Sequence, residues 1–534
     1  MSEIQTFLGL IAAIAALAWL AQRIKVEYPI LLVMGGLILG FIPGLPQVAL
    51  RPDVVFLLFL PPLLYYEAYN SSLRDFRANL RPITLYAVFL VVVTIAAVAW
   101  TAHALIPGMS WGAAVVLGAI VGPTDETAAI AIASRLHVPR KLITLIKAES
   151  LFNDATSLVI YAVALTAVVT GMFSLAMGIW QLFLDAIGGV VVGLAVGWLL
   201  TVIRRRVEDP LIQNTLSLLS GYAAYLPADA LHLSGVLSAI TAGIYLGRQG
   251  YTFTTAESRI QNAGMREITL FLINGILFIL VGLQLHPILA GLSGATAPAT
   301  LIWRALAISF VVIVVRITWI FATVYIPRAF SLRNNKWKAS MPWQHAAVVS
   351  WTGLRGGISL AAALAVPLVI GSGAPFPHRP LILFLTFAVI LATLVIQGLT
   401  LPALIRVLGV ASDGSAEREE TLARLKATRA AYDRLKNLAK EPWAEKAVVD
   451  DLRGHLKATY AHQSGRQQRS LTPEDESRAS AVARIRRELT AAQSREIVRL
   501  RDEGAINDAV MHKIQRELDL EDLRNVSSAA TATD

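Results

Sequence analysis

The stretch AESLFNDATS at residues 148–157 places two carboxylates, an amide and three hydroxyls inside an otherwise apolar run. On a helix, Glu149 and Asn153 are one turn apart, as are Ser150 and Asp154, so two neighbouring polar stripes form, about 100° apart. A hard monovalent cation takes oxygen ligands, and Ser150, Asp154 and Thr124 or a backbone carbonyl near it would supply them with a single negative charge. A divalent metal would recruit more carboxylates and often His, and none of the nine histidines lies beside the stretch at ligand spacing. The other ionisable groups in apolar surroundings are Asp125 and Glu126 in VGPTDETAAI, Asp185, Arg316 in VVRITWIF and Arg355 in WTGLRGGISLA. Each costs at least about 2.5 kcal/mol at a bilayer centre unless paired or hydrated, which makes each a functional candidate. Asp185 lies near the start of its run, where snorkelling to the interface accounts for it.

The elements that must hold these groups are membrane helices. Of 534 residues, 55% are hydrophobic and 16% charged, and the apolar residues gather in runs of about twenty, enough to cross about 30 Å of hydrocarbon. The runs give thirteen candidate spans between residues 4 and 408, an all-α polytopic membrane protein. The first, at 4–22, has no small-residue cleavage site after it and reads as a retained span, so the mature chain is expected to begin near Met1. There is no cysteine, hence no disulfide or thiolate-metal reading.

Basic residues orient the spans. Arg23, Lys25, Arg74, Arg77, Arg81, Arg135, Arg140, Lys141, Lys147, Arg204 to Arg206, Arg248, Arg259, Arg266, Arg328, Arg333, Lys336 and Lys338 all fall in alternate loops, against only Arg51 and Arg379 in the others. The positive-inside bias puts the N-terminus outside and the C-terminus in the cytoplasm.

Residues 1–410 form the transmembrane domain and 411–534 a polar cytoplasmic tail. The tail holds 22 basic and 22 acidic residues, so the net +10 belongs to the membrane part. Loop orientation and anionic lipid headgroups explain that excess, and nucleic-acid binding loses its support. Apolar residues at three- and four-residue spacing in EREETLARLKATRAAYDRLKNLAKE and SREIVRLRDEGAINDAVMHKIQRELDLEDLR predict exposed amphipathic helices, in a regulatory or dimer-stabilising role.

Two spans are interrupted. Gly122 and Pro123 break the run before Asp125, and Gly353, Gly356 and Gly357 surround Arg355. Paired interruptions in the two halves of a transporter point to inverted repeats whose broken helices cross near the midplane. The broken ends leave partial charges that Asp125 and Arg355 would offset.

GPTDETAA, then AESLFNDAT and GLRGGISLA, together with FLPPLLYYEA and LFLTFAVILATLVIQGLTLP, resemble the cation:proton antiporter-1 family of sodium/proton exchangers in its bacterial form, over residues 1 to about 410. The resemblance implies two inverted six-helix repeats, a homodimer in the bacterial inner membrane and elevator-like exchange of one cation for one proton, serving pH and sodium homeostasis. By motif position, Asp154 is the ion- and proton-binding carboxylate, Asn153 its neutral partner, Ser150 and Thr124 further ligands of Na+, and Asp125 the residue at the crossover. Glu149 would pair with Arg355, and Arg316 resembles a second arginine of the eleventh span. Where the family usually has Thr-Asp-Pro, this chain has Thr124-Asp125-Glu126, replacing a rigid residue with an acid that could take an accessory part.

No cofactor is implied beyond the transported Na+ and H+, with K+ or Li+ as alternative cations. A cation channel would use the same polar residues but would need a continuous hydrated path. No triad, P-loop or metal motif supports an enzyme.

Overall fold

The computed structural model describes residues 3–24, 26–42, 52–71, 83–171, 175–292, 297–330, 341–410 and 415–468, with scattered positions from 489 to 518. Among these the chain is helical, with a single isolated bridge between Val369 and Pro375. Lys25, Arg51, Arg74, Arg77, Arg81, Arg333, Lys336, Lys338 and most of the second tail helix expected from the sequence lie outside the described residues.

The first helices are α1 (Glu3–Ile24), α2 (Tyr28–Gly40), α3 (Pro52–Tyr69) and α4 (Leu85–Leu105), the last beginning with a π turn at Leu85–Phe89. There follow α5 (Trp111–Val121), α6 (Glu126–Arg135), α7 (Arg140–Thr170), α8 (Leu175–Arg204), α9 (Pro210–Ala230), α10 (Gly235–Phe253), α11 (Ala256–Leu292) and α12 (Pro298–Phe330). The membrane part ends with α13 (Trp343–Trp351), α14 (Gly357–Leu364), α15 (Arg379–Ala392) and α16 (Gly398–Leu408), α15 and α16 being joined by a π turn at Thr393–Gln397. Local chemistry sets several boundaries. Ser110 caps α5 and Ser234 caps α10, each accepting from the backbone N–H three residues on, while Asp209 and Pro210 start α9. Gly171 ends α7 in the left-handed conformation that glycine adopts without strain.

Among the described residues, eight helices are long and apolar enough to cross a membrane by length and composition. Helix α7 begins nine residues before the expected span at 149, because Leu142, Leu145 and Ile146 bury one face of a segment that charges on its other face hide from a hydropathy count. AESLFNDAT therefore sits in mid-helix.

The helices pack as two bundles. In one, α2 lies along α11, α10 packs on α3, α8 and α9, and α1 closes against α2 and α11. In the other, α5 packs on α4 and α7, α12 on α4, α13 and α15, and α6 on α7 and α16. The bundles meet where α11 touches α14 and α15, and where α3 touches α7 and α14. In the first bundle glycines let backbones touch: a Cβ at Gly36 would lie 2.2 Å from the Ile279 carbonyl oxygen, and one at Gly247 would lie 2.2 Å from that of Tyr69.

The tail is a separate unit from Asp413 onward. Its helices α17 (Ser415–Leu438) and α18 (Lys446–Gln468) pack on each other through Leu425, Leu435 and Val449.

Candidate functional site: a helix crossing beside a buried carboxylate

Neither of the two interrupted runs continues as one helix. After α5 the chain passes through Gly122 and Pro123 to Asp125 and restarts as α6; after α13 it passes through Thr352–Gly356 and restarts as α14. The connecting strands of chain cross, and Asp125 N–H donates to the Leu354 carbonyl at 2.7 Å. Asp125 then serves both restarted helices: Oδ1 accepts from Thr127 N–H at 2.8 Å and Oδ2 from Gly357 N–H at 3.3 Å. One carboxylate thus faces two positive helix ends. A Cβ at position 356 would stand 1.7 Å from Asp125 Oδ2, so glycine is required there.

The two carbonyl ends meet cations. Arg355 Nε donates to the Val121 carbonyl at the end of α5 at 3.1 Å, and its Nη1 to Gly353 O. Arg316, from α12, donates through Nη2 to the Val349 carbonyl in the last turn of α13 at 3.0 Å.

Helix α7 brings the polar stripes against this crossing. Ser150 Oγ donates to the Thr124 carbonyl at 2.7 Å and Asn153 Nδ2 donates to Thr124 Oγ1 at 2.6 Å. These bonds fix Thr124, whose carbonyl keeps a second lone pair and whose neighbour Ser150 keeps its own. Asp154 is 2% exposed and has no hydrogen-bond or ion-pair partner among the described residues. It faces a cavity of about 10 Å³ lined by Asp154, Ser150, Thr124, Asp125, Glu67 and Asn274 among others, room for about one water-sized guest.

The structure corrects the expected Glu149–Arg355 pair. Glu149 is bound by Arg316, Nη1 donating to Oε1 and Nη2 to Oε2 at 3.2 Å, with the two side chains 1% and 2% exposed. The reason is angular: Glu149 lies on the neighbouring stripe from Ser150 and Asp154, where it meets α12, while the Arg355 guanidinium is taken up by the backbone carbonyls of the crossing. Glu126, first residue of α6, is half-buried with Oε2 lacking a hydrogen-bond partner, and it does not line the cavity.

Three lining groups were missed from sequence: Glu67 on α3, Asn274 on α11 and Ser359 on α14. Glu67 had a signal, as a lone acid at the end of the apolar run FLPPLLYYEA. Asn274, one amide in LFLINGILF, had little.

Crossed, interrupted helices with an uncompensated carboxylate beside them are the architecture of a polytopic secondary transporter. The profile of the sodium/hydrogen exchanger transmembrane family matches residues 9–407, and the chain belongs to that family, which is one of transporters. It is 38% identical over 530 residues, 98% of this chain and 96% of the other, to a Mycobacterium tuberculosis (strain H37Rv) protein described as an uncharacterised Na+/H+ exchanger. It is 31% identical to a sodium, potassium, lithium and rubidium/H+ antiporter of Bacillus subtilis, over 71% of this chain and 58% of that one. The fold resembles that of the sodium/proton antiporter MjNhaP1 of Methanocaldococcus jannaschii at pH 8, with a TM-score of 0.58 and 20% identity, covering 77% of this chain and 100% of that one. The protein is accordingly a multi-pass membrane cation/proton antiporter.

Proposed function

We propose that this antiporter exchanges Na+ for H+ one for one at Asp154, with Ser150, Thr124 and Asn153 forming the neutral part of the site and Asp125 holding the crossing that shapes it. The observation that carries the proposal is that, among the described residues, no side chain forms an ion pair with Asp154, which lies beside a cavity of water size. A carboxylate in such surroundings is neutralised either by a proton or by a cation, and one carboxylate does not hold both at once. If the bundle of α4–α7 and α12–α16 moves past the other only when Asp154 is neutral, competition for that carboxylate is itself the coupling. Glu149 and Arg316 act as a structural pair, and Glu126 is an accessory acid beside the path.

The cation range is proposed as Na+ first, with Li+ and K+ as candidates, in keeping with the breadth in the name of the Bacillus subtilis relative. We place thirteen passes in the bacterial inner membrane in two inverted repeats, with the N-terminus outside, the tail cytoplasmic and regulatory, and the protein a homodimer without a resident cofactor. Its role is pH and sodium homeostasis.

The test is flux in proteoliposomes carrying a pH gradient. Na+ addition should dissipate the gradient in the wild type at a rate unchanged when the membrane potential is collapsed, because one charge crosses each way. Asp154→Asn should fold and insert but show no cation-dependent proton flux, since an amide neither releases a proton nor neutralises Na+. Substantial flux in that variant would sink the mechanism. A several-fold dependence on potential, abolished in Glu126→Gln, would make Glu126 a second proton carrier.

A further inference from the structure

The cavity at Asp154 is not built from one bundle alone. Thr124, Asp125, Ser150, Asp154 and Ser359 come from the bundle that holds the crossing, whereas Glu67 on α3 and Asn274 on α11 come from the other, Asn274 being the neutral one of the two. Asn274 is 7% exposed and lines the cavity, and its amide has no hydrogen-bond partner among the described residues. It sits over the start of α14, where a Cβ on Gly357 would lie 3.5 Å from its Oδ1.

An amide at this depth without a protein partner needs a guest to hydrogen-bond or ligate, since leaving it unmet would be costly. Its polar atoms must meet something in the cavity, and two kinds of guest fit: a water or a cation. The volume of about 10 Å³ leaves room for about one water-sized guest, so a cation entering here gives up most of its hydration shell. Protein oxygens must replace that shell, and an amide oxygen is a good neutral ligand for a hard monovalent ion. It adds an oxygen without adding charge, which leaves the competition between proton and cation at Asp154 intact.

We propose that Asn274 is a neutral ligand of the transported cation supplied by the bundle opposite Asp154, and that it raises cation affinity on one face of the membrane only. The inference rests on the two-bundle exchange proposed above. Ligands on α6, α7 and α14 travel with the ion and serve it on both faces. Asn274 stays behind when the bundles shift, so it contributes in one orientation alone. Binding is thereby tighter on that face than the travelling ligands would give by themselves, and Asn274 contributes to the asymmetry without adding charge.

The experiment measures the Na+ concentration that gives half-maximal exchange, applied from either side of oriented membrane vesicles at equal pH. Asn274→Leu, which keeps the volume and removes the oxygen, should raise that concentration about two- to tenfold on one face, the range one neutral polar contact is worth. It should leave the other face within experimental spread. Asn274→Asp, which keeps the shape, should lower it on the same face, and this variant decides the matter if the Leu variant does not insert. Ser150→Ala, on the travelling bundle, should shift both faces. Equal shifts on both faces in the Asn274 variants would overturn the proposal, as would no shift on either. Failure of the exchange mechanism reads differently, as flux surviving Asp154→Asn, so the two outcomes are separable.

Discussion

The two bundles are held together by different physics. In the bundle of α1–α3 and α8–α11, helices approach through glycines until backbone touches backbone, as at Gly36, Gly247 and Gly282. The bundle of α4–α7 and α12–α16 is organised by buried charge: Asp125 on two helix starts, Arg355 and Arg316 on two helix ends, and Glu149 on Arg316. Taking each helix end as about half a charge, Asp125 offsets both starts, while Arg355 on the end of α5 and Arg316 on the end of α13 together exceed the two ends by one charge, which Glu149 cancels. These groups sum close to neutral, and the two other carboxyls that line the cavity, Asp154 and Glu67, stand outside that balance. Close backbone packing organises the first bundle, which still brings Glu67 and Asn274 to the cavity; directional electrostatics organises the second.

The sharpest way to break this contrast is to remove one member of the buried pair. Glu149→Gln or Arg316→Gln leaves a single charge buried at a site now 1% to 2% exposed, and by the precedent of soluble proteins should cost on the order of 3 to 5 kcal/mol. Thermal unfolding in detergent would show a large drop for each single variant and partial recovery in the double variant. Arg355→Gln combined with Glu149→Gln should show much less recovery, because no hydrogen bond or salt bridge joins those two side chains and Arg355 is held by backbone carbonyls. Equal recovery in that second combination would restore the pairing expected from sequence.

A smaller effect should follow in the first bundle. A Cβ at Gly282 would lie 2.2 Å from the Leu37 nitrogen and 2.4 Å from the Gly36 carbonyl carbon, both backbone atoms of α2. Gly282→Ala must part α2 from α11 and should cost about 1 to 3 kcal/mol as an overpacking change. Thermal stability should fall, and any change in half-saturating Na+ should be confined to the face that Asn274 serves, because Gly282 and Asn274 share α11. A change on both faces would show that the first bundle is less separate from the site than its packing implies.

The contrast also decides what sequence could reveal. Charges in apolar runs are conspicuous, so Asp125, Glu149, Asp154, Arg316 and Arg355 were all found from their types, and the paired interruptions at Gly122 and Gly353 located the crossing. Partnership was not legible, because Glu149 lies within one helical step of Ser150, and only the packing of α12 decides that Arg316 reaches it. Asn274 escaped because a neutral amide costs little in a hydropathy count; its meaning comes from facing a cavity formed by residues more than eighty positions away. The start of α7 was missed for the opposite reason, its charged face masking a buried one.

The smallest expected effect lies at the contact between the bundles, where Arg135 at the end of α6 donates to Glu27 before α2 at 2.9 Å, the two side chains 58% and 11% exposed. Such a partly exposed pair is worth about 0 to 1 kcal/mol at most, and here its sign is readable. Burial of Glu27 pushes its carboxyl above the usual range, and the Arg135 charge opposes that shift without cancelling it. A raised carboxyl means that the packed state binds the proton more tightly than the water-exposed state does. The contact is therefore most favourable below the ordinary carboxylate range, and it weakens as pH rises through the raised value. Glu27→Gln, which mimics the protonated form, should match the wild type in acid and be equal or slightly more stable at neutral pH, within about 0.5 kcal/mol. Melting temperatures of both proteins from pH 4 to pH 8 would read this directly. A variant that is less stable at neutral pH and equal in acid would mean that the ionised bridge is a net attraction, and that charge as well as packing holds the two bundles together.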